Sequence, residues 1–480
     1  MFFVNHFVRI AAVLVALIGL VSCSAFFSQS KTEPTKPSDR KVVEKASAFA
    51  MQAPLITTPE LGKRIHIYKV AFDGTMNDRL RIPLDERETL VARIARTTDA
   101  IYYPGAGMQG RDISNSDAAT GASSMEIASR AAREFYNQAE KWYKQDSHSE
   151  IRVFVTGFSR GAATAREFMN QIDSEWGKKY PQNEMLKPHF YAILYDTVAT
   201  GQKDKLDLSI PTSLDYLVHF VAEDETRNLL FTPTVEYIKP TYLPSHLPTS
   251  VILPQRINII KLPGAHSDVG GAYADGIGDL YIVLTENFLY MMGLIQNNHW
   301  QSDHDPLLKG KHDSRGLLDK LFGAKDPSVV SHVNRPTDLA LVRSQSEIQQ
   351  RENQSRLRKM WDANTDRGAF LDIRKVETVY ASFIISKDGN ELKVKSDSNW
   401  VNPASVFIES IDGHKFLRFK FVVGTISSKL KLSEILLSQM GAGKHVLSYS
   451  ELNKSEGSFL AIWLDNRLIE LIPVNVVKPN

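Results

Sequence analysis

Residues 153–168 of the chain read VFVTGFSRGAATAREF. The stretch begins as an apolar run typical of a buried strand and continues as an alanine-rich helix. Between the two lies a turn in which Gly157 and Gly161 flank Ser159. A serine at the tip of such a strand–turn–helix unit is either a helix cap or an activated nucleophile.

The pentapeptide Gly157-Phe158-Ser159-Arg160-Gly161 fits the nucleophile elbow, G-x-S-x-G. In that turn the serine has a strained backbone, and small neighbours let the strand and the helix approach closely. The following helix directs its positive dipole end toward developing negative charge. Because a strand precedes the turn and a helix follows it, the elbow is favoured over a simple cap. We therefore predict Ser159 as a nucleophile and the Arg160 N–H as one oxyanion donor.

A serine nucleophile needs a base and an orienting acid, and in α/β-hydrolases these follow it in the order acid, then histidine. Asp196 ends the apolar stretch FYAILYD, and His266 comes shortly after the apolar stretch INIIKL. The predicted triad is therefore Ser159, Asp196 and His266. Asp268 is the alternative acid, although in the loop GAHSDVGGAY it is better suited to bond its own backbone.

An earlier loop, AFDGTMND, is expected to supply the second oxyanion donor. Gly74 and Thr75 are the candidate donors, and Asp73 shapes the turn. A metal site formed by Asp73 and Asp78 is an alternative, but two carboxylates are a small ligand set, and we predict neither a metal nor a cofactor. A second glycine-rich loop at 104–110 either lines an acyl pocket or is a flexible connection.

Apolar strands alternate with helical patterns between about residues 61 and 300, which predicts a mostly parallel sheet with helices on both faces. We assign residues 61–300 to an α/β-hydrolase-like catalytic domain. Residues 301–375 are polar and are expected to form a helical connection. Residues 376–480 contain short strands joined by Asp-Gly and Asp-Asn turns, which predicts a small antiparallel β domain.

The N-terminus has an apolar run that ends in LVSC at residues 20–23. The run has the length of a signal-peptide core and is short for a membrane span. Its end resembles the bacterial lipobox, so we predict a signal peptide at 1–23, a lipidated Cys23 and a flexible tether at 24–60. The alternative is an uncleaved signal anchor. The expected location is the cell envelope, on the periplasmic side of the outer membrane.

Charge and cysteine content narrow the function classes further. The chain of 480 residues has 57 basic and 55 acidic side chains, which are interspersed along the sequence. This distribution lacks the clustered basic residues that bind nucleic acid, and no nucleic-acid partner is predicted. A chain with one cysteine forms no intramolecular disulfide.

Five motifs occur in order between about residues 64 and 300: FDGTMN, GFSRGAATAR, YDTVAT, FVAEDETRNLLF and PGAHSDVGGAYAD. They resemble the signatures of the type VI secretion phospholipase effector family, whose hydrolase domain carries FDGTWN, GFSRGA, DTV, LDE-R and HSDVGG. The resemblance implies a lipolytic Ser-Asp-His hydrolase of glycerophospholipid acyl esters with the triad given above. It also implies a structural pairing of Asp224 and Arg227 near the site.

Some features depart from this family. Met76 stands where the family usually has tryptophan, and Ala272 where it usually has glycine. Family effectors typically have no signal peptide. We predict a membrane-anchored phospholipase of type A that acts on membrane phospholipid, with an inhibitory or immunity protein as a candidate partner. Alternatives are an esterase of short acyl esters or glycans and a non-catalytic envelope lipoprotein that binds a related toxin. The segment between Asp196 and His266, which includes LDYLVHFV and the proline-rich KPTYLPSHLPTSVILP, suits either a lipid-facing lid or a structural excursion.

Overall fold

The computed structural model describes residues 31–365 with internal gaps, and seven strands between residues 378 and 474. The gaps are 51–52, 60–61, 85, 182–185, 228–229, 238–255, 297–309, 316–323 and 325–334. The predicted signal peptide, with Cys23, lies outside the described residues. None of the helices in the described part of the chain combines the length and the apolar character needed to cross a lipid bilayer.

A six-stranded sheet, parallel throughout, forms the centre of the chain and has the order β3-β2-β4-β5-β6-β8. Its strands are β2 (Ile65–Phe72), β3 (Ile101–Tyr103), β4 (Glu150–Phe158), β5 (His189–Tyr195), β6 (Leu214–Ala222) and β8 (Ile257–Leu262). The predicted α/β fold with a mostly parallel sheet is thereby confirmed. Because both faces of such a sheet are buried, its strands have nearly continuous apolar sequences.

Helices cover both faces of this sheet. The helices are α1 (Pro37–Ala50), α2 (Leu90–Thr98), α3 (Asn115–Thr120), α4 (Ser124–Gln145), α5 (Arg160–Lys179), α6 (His266–Val269), α7 (Gly278–Met291) and α8 (Glu347–Thr365). One core is shared by α1, α2, α7 and α8, and the opposite core by α4 and α5. Alternate residues of each strand enter the two cores because side chains of a strand point to opposite faces.

The strand order creates a crevice at one edge of the sheet. The chain leaves β2 in one direction to form β3 and then returns to form β4 on the other side of β2. The loops that follow β2 and β4 therefore separate at the carboxyl end of the sheet. In open α/β sheets this topological switch point is where ligands bind. The turn at Ser159 and the loop that begins at Asp73 both lie there.

The described part of the predicted tether, residues 31–50 and 53–59, packs on the folded domain instead of forming a flexible segment. Helix α1 buries Val43 and Ala46 in the core, and Ile56 is buried beyond it. The Ile56 carbonyl also accepts a hydrogen bond of 2.7 Å from Nη1 of the buried Arg152. These contacts fix the segment because the sheet would otherwise expose apolar surface to water.

The described residues of the region expected to form a polar helical connection, 301–375, also pack on the domain. Leu357 of α8 is 2% exposed and joins the same core as α1. Arg356 binds Asp215 at 2.9 Å, which satisfies a buried carboxylate of β6. Helix α8 has many charged residues because only a narrow stripe of it is buried, which explains why its sequence looked like a surface helix.

Two short strand pairs connect distant parts of the chain. The first joins β1 (Lys31–Pro34) to β9 (Gly310–Asp313), and the second joins β7 (Thr234–Tyr237) in parallel to β10 (Asp338–Leu341). Within the lid candidate, which lies between Asp196 and His266, the apolar stretch LDYLVHFV is part of β6, an inner strand of the sheet. Its proline-rich stretch KPTYLPSHLPTSVILP, at 239–254, lies outside the described residues.

The C-terminal strands form antiparallel sheets, as the hairpin signals predicted. A five-stranded sheet has the order β12-β11-β15-β16-β17, and β13 pairs with β14. These strands are β11 (Thr378–Ile385), β12 (Lys393–Ser396), β13 (Ser405–Ile411), β14 (His414–Lys420), β15 (Gly443–Glu451), β16 (Ser458–Leu464) and β17 (Arg467–Val474).

Candidate active site

The turn between β4 and α5 holds Ser159 in a strained backbone conformation. Its φ of 57° and ψ of −126° lie outside the regions that a serine ordinarily occupies. Such a conformation costs on the order of 1–3 kcal/mol and is maintained only where the surrounding structure enforces it. The Ser159 side chain makes no capping hydrogen bond to α5. The geometry is therefore that of an elbow and not that of a helix cap.

Glycine is required on both sides of the serine because backbone approaches closely there. A Cβ on Gly161 would lie 2.2 Å from the carbonyl oxygens of Phe72 and Asp73. A Cβ on Gly157 would lie 2.7 Å from the Cα of Ala162. The contact at Gly161 brings the first turn of α5 directly against the end of β2, so the elbow and the predicted oxyanion loop are adjacent.

The predicted acid and base meet beside this elbow. Nδ1 of His266 lies 2.6 Å from Oδ2 of Asp196. Asp196 ends β5 with a φ of 39°, and its Oδ1 accepts the Ala222 N–H at 3.0 Å. The His266 ring centroid is 4.6 Å from that of Phe158, the residue before the serine. With an ionised aspartate, Nδ1 carries the proton, which leaves Nε2 free to accept one.

The alternative acid, Asp268, has a different partner. Its Oδ1 lies 2.6 Å from Nδ1 of His312 in β9, and its Oδ2 accepts the N–H groups of Ala265 and His312, each at 2.9 Å. Asp268 therefore caps the short helix that begins with His266 and ties it to β9. His312 and Asp268 form a second histidine–aspartate pair, which holds this helix against β9.

Electrostatics favour a neutral base and an ionised acid. Burial by itself would raise the pKa of Asp196, but the Arg335 charge and the His266 hydrogen bond outweigh it and hold that pKa well below its usual range. Burial lowers the pKa of His266, and the contact with Asp196 offsets only part of this effect. At neutral pH His266 is accordingly an uncharged proton acceptor, as a general base must be.

The oxyanion loop differs from the prediction at one donor. The Gly74 N–H already donates to Oδ1 of Asp73 at 2.8 Å, so Gly74 is not available as an oxyanion donor. The Thr75 N–H has no acceptor within the described residues, and the Thr75 hydroxyl accepts from Nη1 of Arg160 at 2.9 Å. As the first residue of α5, Arg160 has a main-chain N–H without an intrahelical acceptor. Thr75 and Arg160 are therefore the two remaining candidate donors.

Asp73 organises this loop from within the protein. Its carboxylate accepts hydrogen bonds from Thr89 at 2.9 Å and from Tyr102 at 2.6 Å, besides the Gly74 N–H. Burial raises the pKa of Asp73 to about 6, although these hydrogen bonds oppose the change. Asp78, the other member of the alternative metal site, pairs with Arg81 at 2.7 Å. The two carboxylates thus have separate partners.

The second glycine-rich loop, at 104–110, packs against the oxyanion loop. A Cβ on Gly105 would lie 1.6 Å from the Gly74 carbonyl oxygen. The Gly105 N–H donates to the Asn77 carbonyl at 2.9 Å, and the Met76 N–H donates to the Ala106 carbonyl at 3.0 Å. The loop is thus a brace for the turn that presents Thr75.

Charged residues near His266 have partners that the sequence did not indicate. Arg227 pairs with Glu225 at 2.7 Å, not with Asp224, and Glu225 also accepts the His266 main-chain N–H at 3.2 Å. Asp224 binds Lys311 at 2.7 Å. Arg335 binds the predicted acid and had no signal in the sequence, because it lies in a polar segment far from any motif.

Comparison with known proteins yields distant structural similarity only. No family model matches the chain, and no curated protein matches its sequence. The Tle1 effector bound to the VgrG spike of the type 6 secretion system is 19% identical, with a TM-score of 0.27 over 46% of this chain and 54% of that one. An uncharacterized protein from Pseudomonas aeruginosa is 14% identical, with a TM-score of 0.30 over 71% of this chain and 58% of that one. The alignments thus span little more than half of each neighbour.

Replacing Gly161 by alanine is expected to slow labelling of Ser159 by a fluorophosphonate probe about 100-fold, because a displacement of about 1 Å at a reacting group has that effect. The added methyl group would meet two carbonyl oxygens that belong to the sheet. The matched control is Gly177→Ala in the same helix, where nothing lies within 4 Å of the added atom. Labelling and the melting temperature should be measured for both variants. Equal labelling of the two would contradict the close packing of the elbow.

Proposed function

We propose that this chain is a serine hydrolase that cleaves acyl esters of glycerophospholipids, a phospholipase of type A. The observation that carries the proposal is the 2.6 Å contact between His266 and Asp196 beside the strained turn of Ser159. Nucleophile, base and acid follow one another along the chain in the order used by α/β-hydrolases. All three follow parallel strands, whose carboxyl ends meet at one edge of the sheet.

In the first half of the reaction, Nε2 of His266 removes the hydroxyl proton of Ser159 as the oxygen attacks the ester carbonyl carbon. Asp196 stabilises the imidazolium that forms and holds the ring in the required tautomer. The carbonyl oxygen becomes an oxyanion, to which the main-chain N–H groups of Arg160 and Thr75 donate. His266 then protonates the departing alcohol oxygen of the lysophospholipid, and the acyl group remains on Ser159.

In the second half, His266 removes a proton from water, and the resulting hydroxide attacks the acyl-enzyme carbonyl. The same two N–H groups stabilise the second oxyanion. Return of the proton from His266 to Ser159 releases the fatty acid and restores the enzyme. His266 gives back every proton that it takes up within one cycle. It is therefore neutral, as a proton acceptor must be, at the start of both the serine attack and the water attack.

The choice of substrate class is supported by the five ordered sequence motifs and not by the triad, which suits many esters. The motifs that carry the resemblance surround the site: FDGTMN forms the oxyanion loop, GFSRGA the elbow and HSDVGG the helix of His266. Glycerophospholipid esters are the substrates that this resemblance implies.

Vesicles of phosphatidylethanolamine and phosphatidylglycerol should release fatty acid when treated with the soluble form that begins at Ser24. Ser159→Ala is expected to reduce the rate by about 10⁴-fold or more, because removal of the nucleophile ends covalent catalysis. Ser174→Ala, on the exposed side of the same helix, is the matched control and should keep the full rate.

Three outcomes of this experiment would contradict the proposal in different ways. Equal release by the Ser159→Ala variant would exclude serine catalysis. Hydrolysis of p-nitrophenyl butyrate without release from vesicles would identify an esterase of short acyl esters. No hydrolysis of either substrate by a folded protein would favour a non-catalytic binding role.

Asparagine in place of Asp196 is expected to reduce kcat/KM by about 10⁴-fold, because its amide does not hold His266 in the tautomer that accepts the serine proton. Asp268→Asn is the matched comparison, since Asp268 is equally buried and also binds a histidine. That variant should melt at a lower temperature but keep most of its kcat/KM. A folded Asp268→Asn enzyme with the larger loss of kcat/KM would transfer the role of acid to Asp268.

We also propose that the mature chain is anchored in the bacterial envelope through Cys23, on the basis of the lipobox-like sequence LVSC. In a Gram-negative host fed an alkyne fatty acid, the wild-type chain should incorporate the label and sediment with membranes. Cys23→Ser should remain unlabelled and unprocessed, because the thioether to the lipid requires the sulfur. Equal labelling of both chains, or an unlabelled wild-type chain, would exclude this anchor.

A further inference from the structure

Arg335 binds the predicted catalytic acid through both carboxylate oxygens. Its Nη1 donates to Oδ1 of Asp196 at 2.6 Å, and its Nη2 donates to Oδ2 at 2.9 Å. The arginine is 9% exposed and Asp196 is fully buried, so water screens this pair little. Oδ2 of Asp196 thus has two donors, Arg335 and His266. The arginine precedes β10, far along the chain from the three motifs that form the site.

The position of this guanidinium is set by the main chain as well as by the acid. Nη1 of Arg335 also donates to the Ala222 carbonyl at 2.8 Å, and Nη2 donates to the Phe231 carbonyl. Four hydrogen bonds from two nitrogens fix the plane of the group. The Phe231 ring packs on His266, with 4.8 Å between the ring centroids. Arg335 therefore contacts both Asp196 and a residue that packs on His266. A lysine ammonium does not reproduce this planar, bidentate geometry.

The charges that face His266 balance one another in the resting state. Asp196 is paired with Arg335, and Glu225, which accepts the His266 N–H, is paired with Arg227. Among the described residues, the uncharged rings of Phe158 and Phe231 also pack against the imidazole. On the helix of His266 itself, Asp268 is paired with His312, and Asp224 nearby is paired with Lys311.

Protonation of His266 therefore has opposite consequences with and without the arginine. With Arg335 present, a proton on His266 adds an uncompensated positive charge to a buried site, which is unfavourable. Without Arg335, the Asp196 carboxylate would be the unbalanced charge, and protonation of His266 would neutralise it. Removal of the arginine must therefore raise the pH at which the histidine–aspartate pair takes up its proton.

We propose that Arg335 is a positioning residue for the reaction, acting on His266 through Asp196. It orients the carboxylate so that Oδ2 faces Nδ1 of His266, and it keeps the imidazole neutral in mildly acidic solution. The direction of both pKa changes is consistent with this role, since Arg335 lowers the pKa of Asp196 and, after burial, contributes to the low pKa of His266. The catalytic consequence rests on the function proposed above, whereas the effect on His266 does not.

The test compares Arg335→Met, Arg335→Lys and the control Arg343→Met in the soluble chain. Arg343 lies in the same segment but is partly exposed and pairs with Asp207. The first readout is the titration of His266 followed by NMR with labelled histidine, with His266→Gln used for assignment. The second is the pH dependence of kcat/KM on p-nitrophenyl butyrate. Thermal melting reports whether each variant is folded.

Arg335→Met is expected to raise the NMR titration midpoint of His266 and to move the acid limb of kcat/KM upward by about one pH unit, the size typical of a neighbouring charge. Arg335→Lys keeps the charge and should leave the limb close to that of the wild type, while kcat falls because the carboxylate is less well oriented. Arg343→Met should change neither quantity. A purely structural role for Arg335 would lower kcat/KM by one factor at every pH and leave the His266 midpoint in place.

The outcomes separate this proposal from the proposed function. A raised His266 midpoint in a protein without ester hydrolysis would support the role of Arg335 and contradict the function. An unchanged midpoint in a protein whose hydrolysis depends on Ser159 would overturn the role of Arg335 alone. If Arg335→Met does not fold, Arg335→Gln removes the charge while keeping an amide donor for the main-chain carbonyls. The NMR titration midpoint of His266 in that variant then tests the role of Arg335.

Discussion

The contact between the first turn of α5 and the end of β2 is the constraint on which the candidate site depends. At Gly161 the two elements approach so closely that any side chain would meet the carbonyl oxygens of Phe72 and Asp73. This contact puts the Ser159 elbow against the loop that carries Thr75. Because the strand order reverses between β2 and β4, both segments open onto one crevice. The strained conformation of Ser159 persists because the packing on either side leaves the turn no alternative.

Several buried charges around the candidate site are paired, and these pairs influence how the site titrates. Asp196 is matched by Arg335 and Glu225 by Arg227, while Arg166 of α5 is matched by Glu236 of β7. Leaving one of these charges without its partner would be strongly destabilising in a low-dielectric interior. A consequence is that the residues around His266 carry little net charge. Its protonation then depends chiefly on burial and on the balance between Asp196 and Arg335.

Much of the core could be predicted from local patterns. The stretches HFYAILY and INIIKL are strands with the predicted limits. HFYAILY is an inner parallel strand, and the burial of both its faces leaves an almost unbroken apolar run. Ser159, Asp196 and His266 could be named because each follows such a strand, although their catalytic roles stay predictions. The packing of α1 and α8 on the domain was not evident from the sequence. Helix α1 buries small apolar residues among lysines and serines, and α8 buries a narrow stripe, so neither has a strong periodic signal.

The sequence by itself determined the α/β class, the strand–turn–helix at Ser159 and the positions of the candidate acid and base. These features follow from short-range physics: apolar runs, glycines at tight turns and residues that end strands. Only the tertiary structure decided that Asp196 and not Asp268 contacts His266, that Gly74 is already bonded to Asp73, and that Arg335 neutralises the acid. Apart from the bond between Gly74 and Asp73, these contacts join residues that are far apart in the sequence and depend on how the helices and strands pack. The sequence around each partner therefore contains no pattern that indicates the contact.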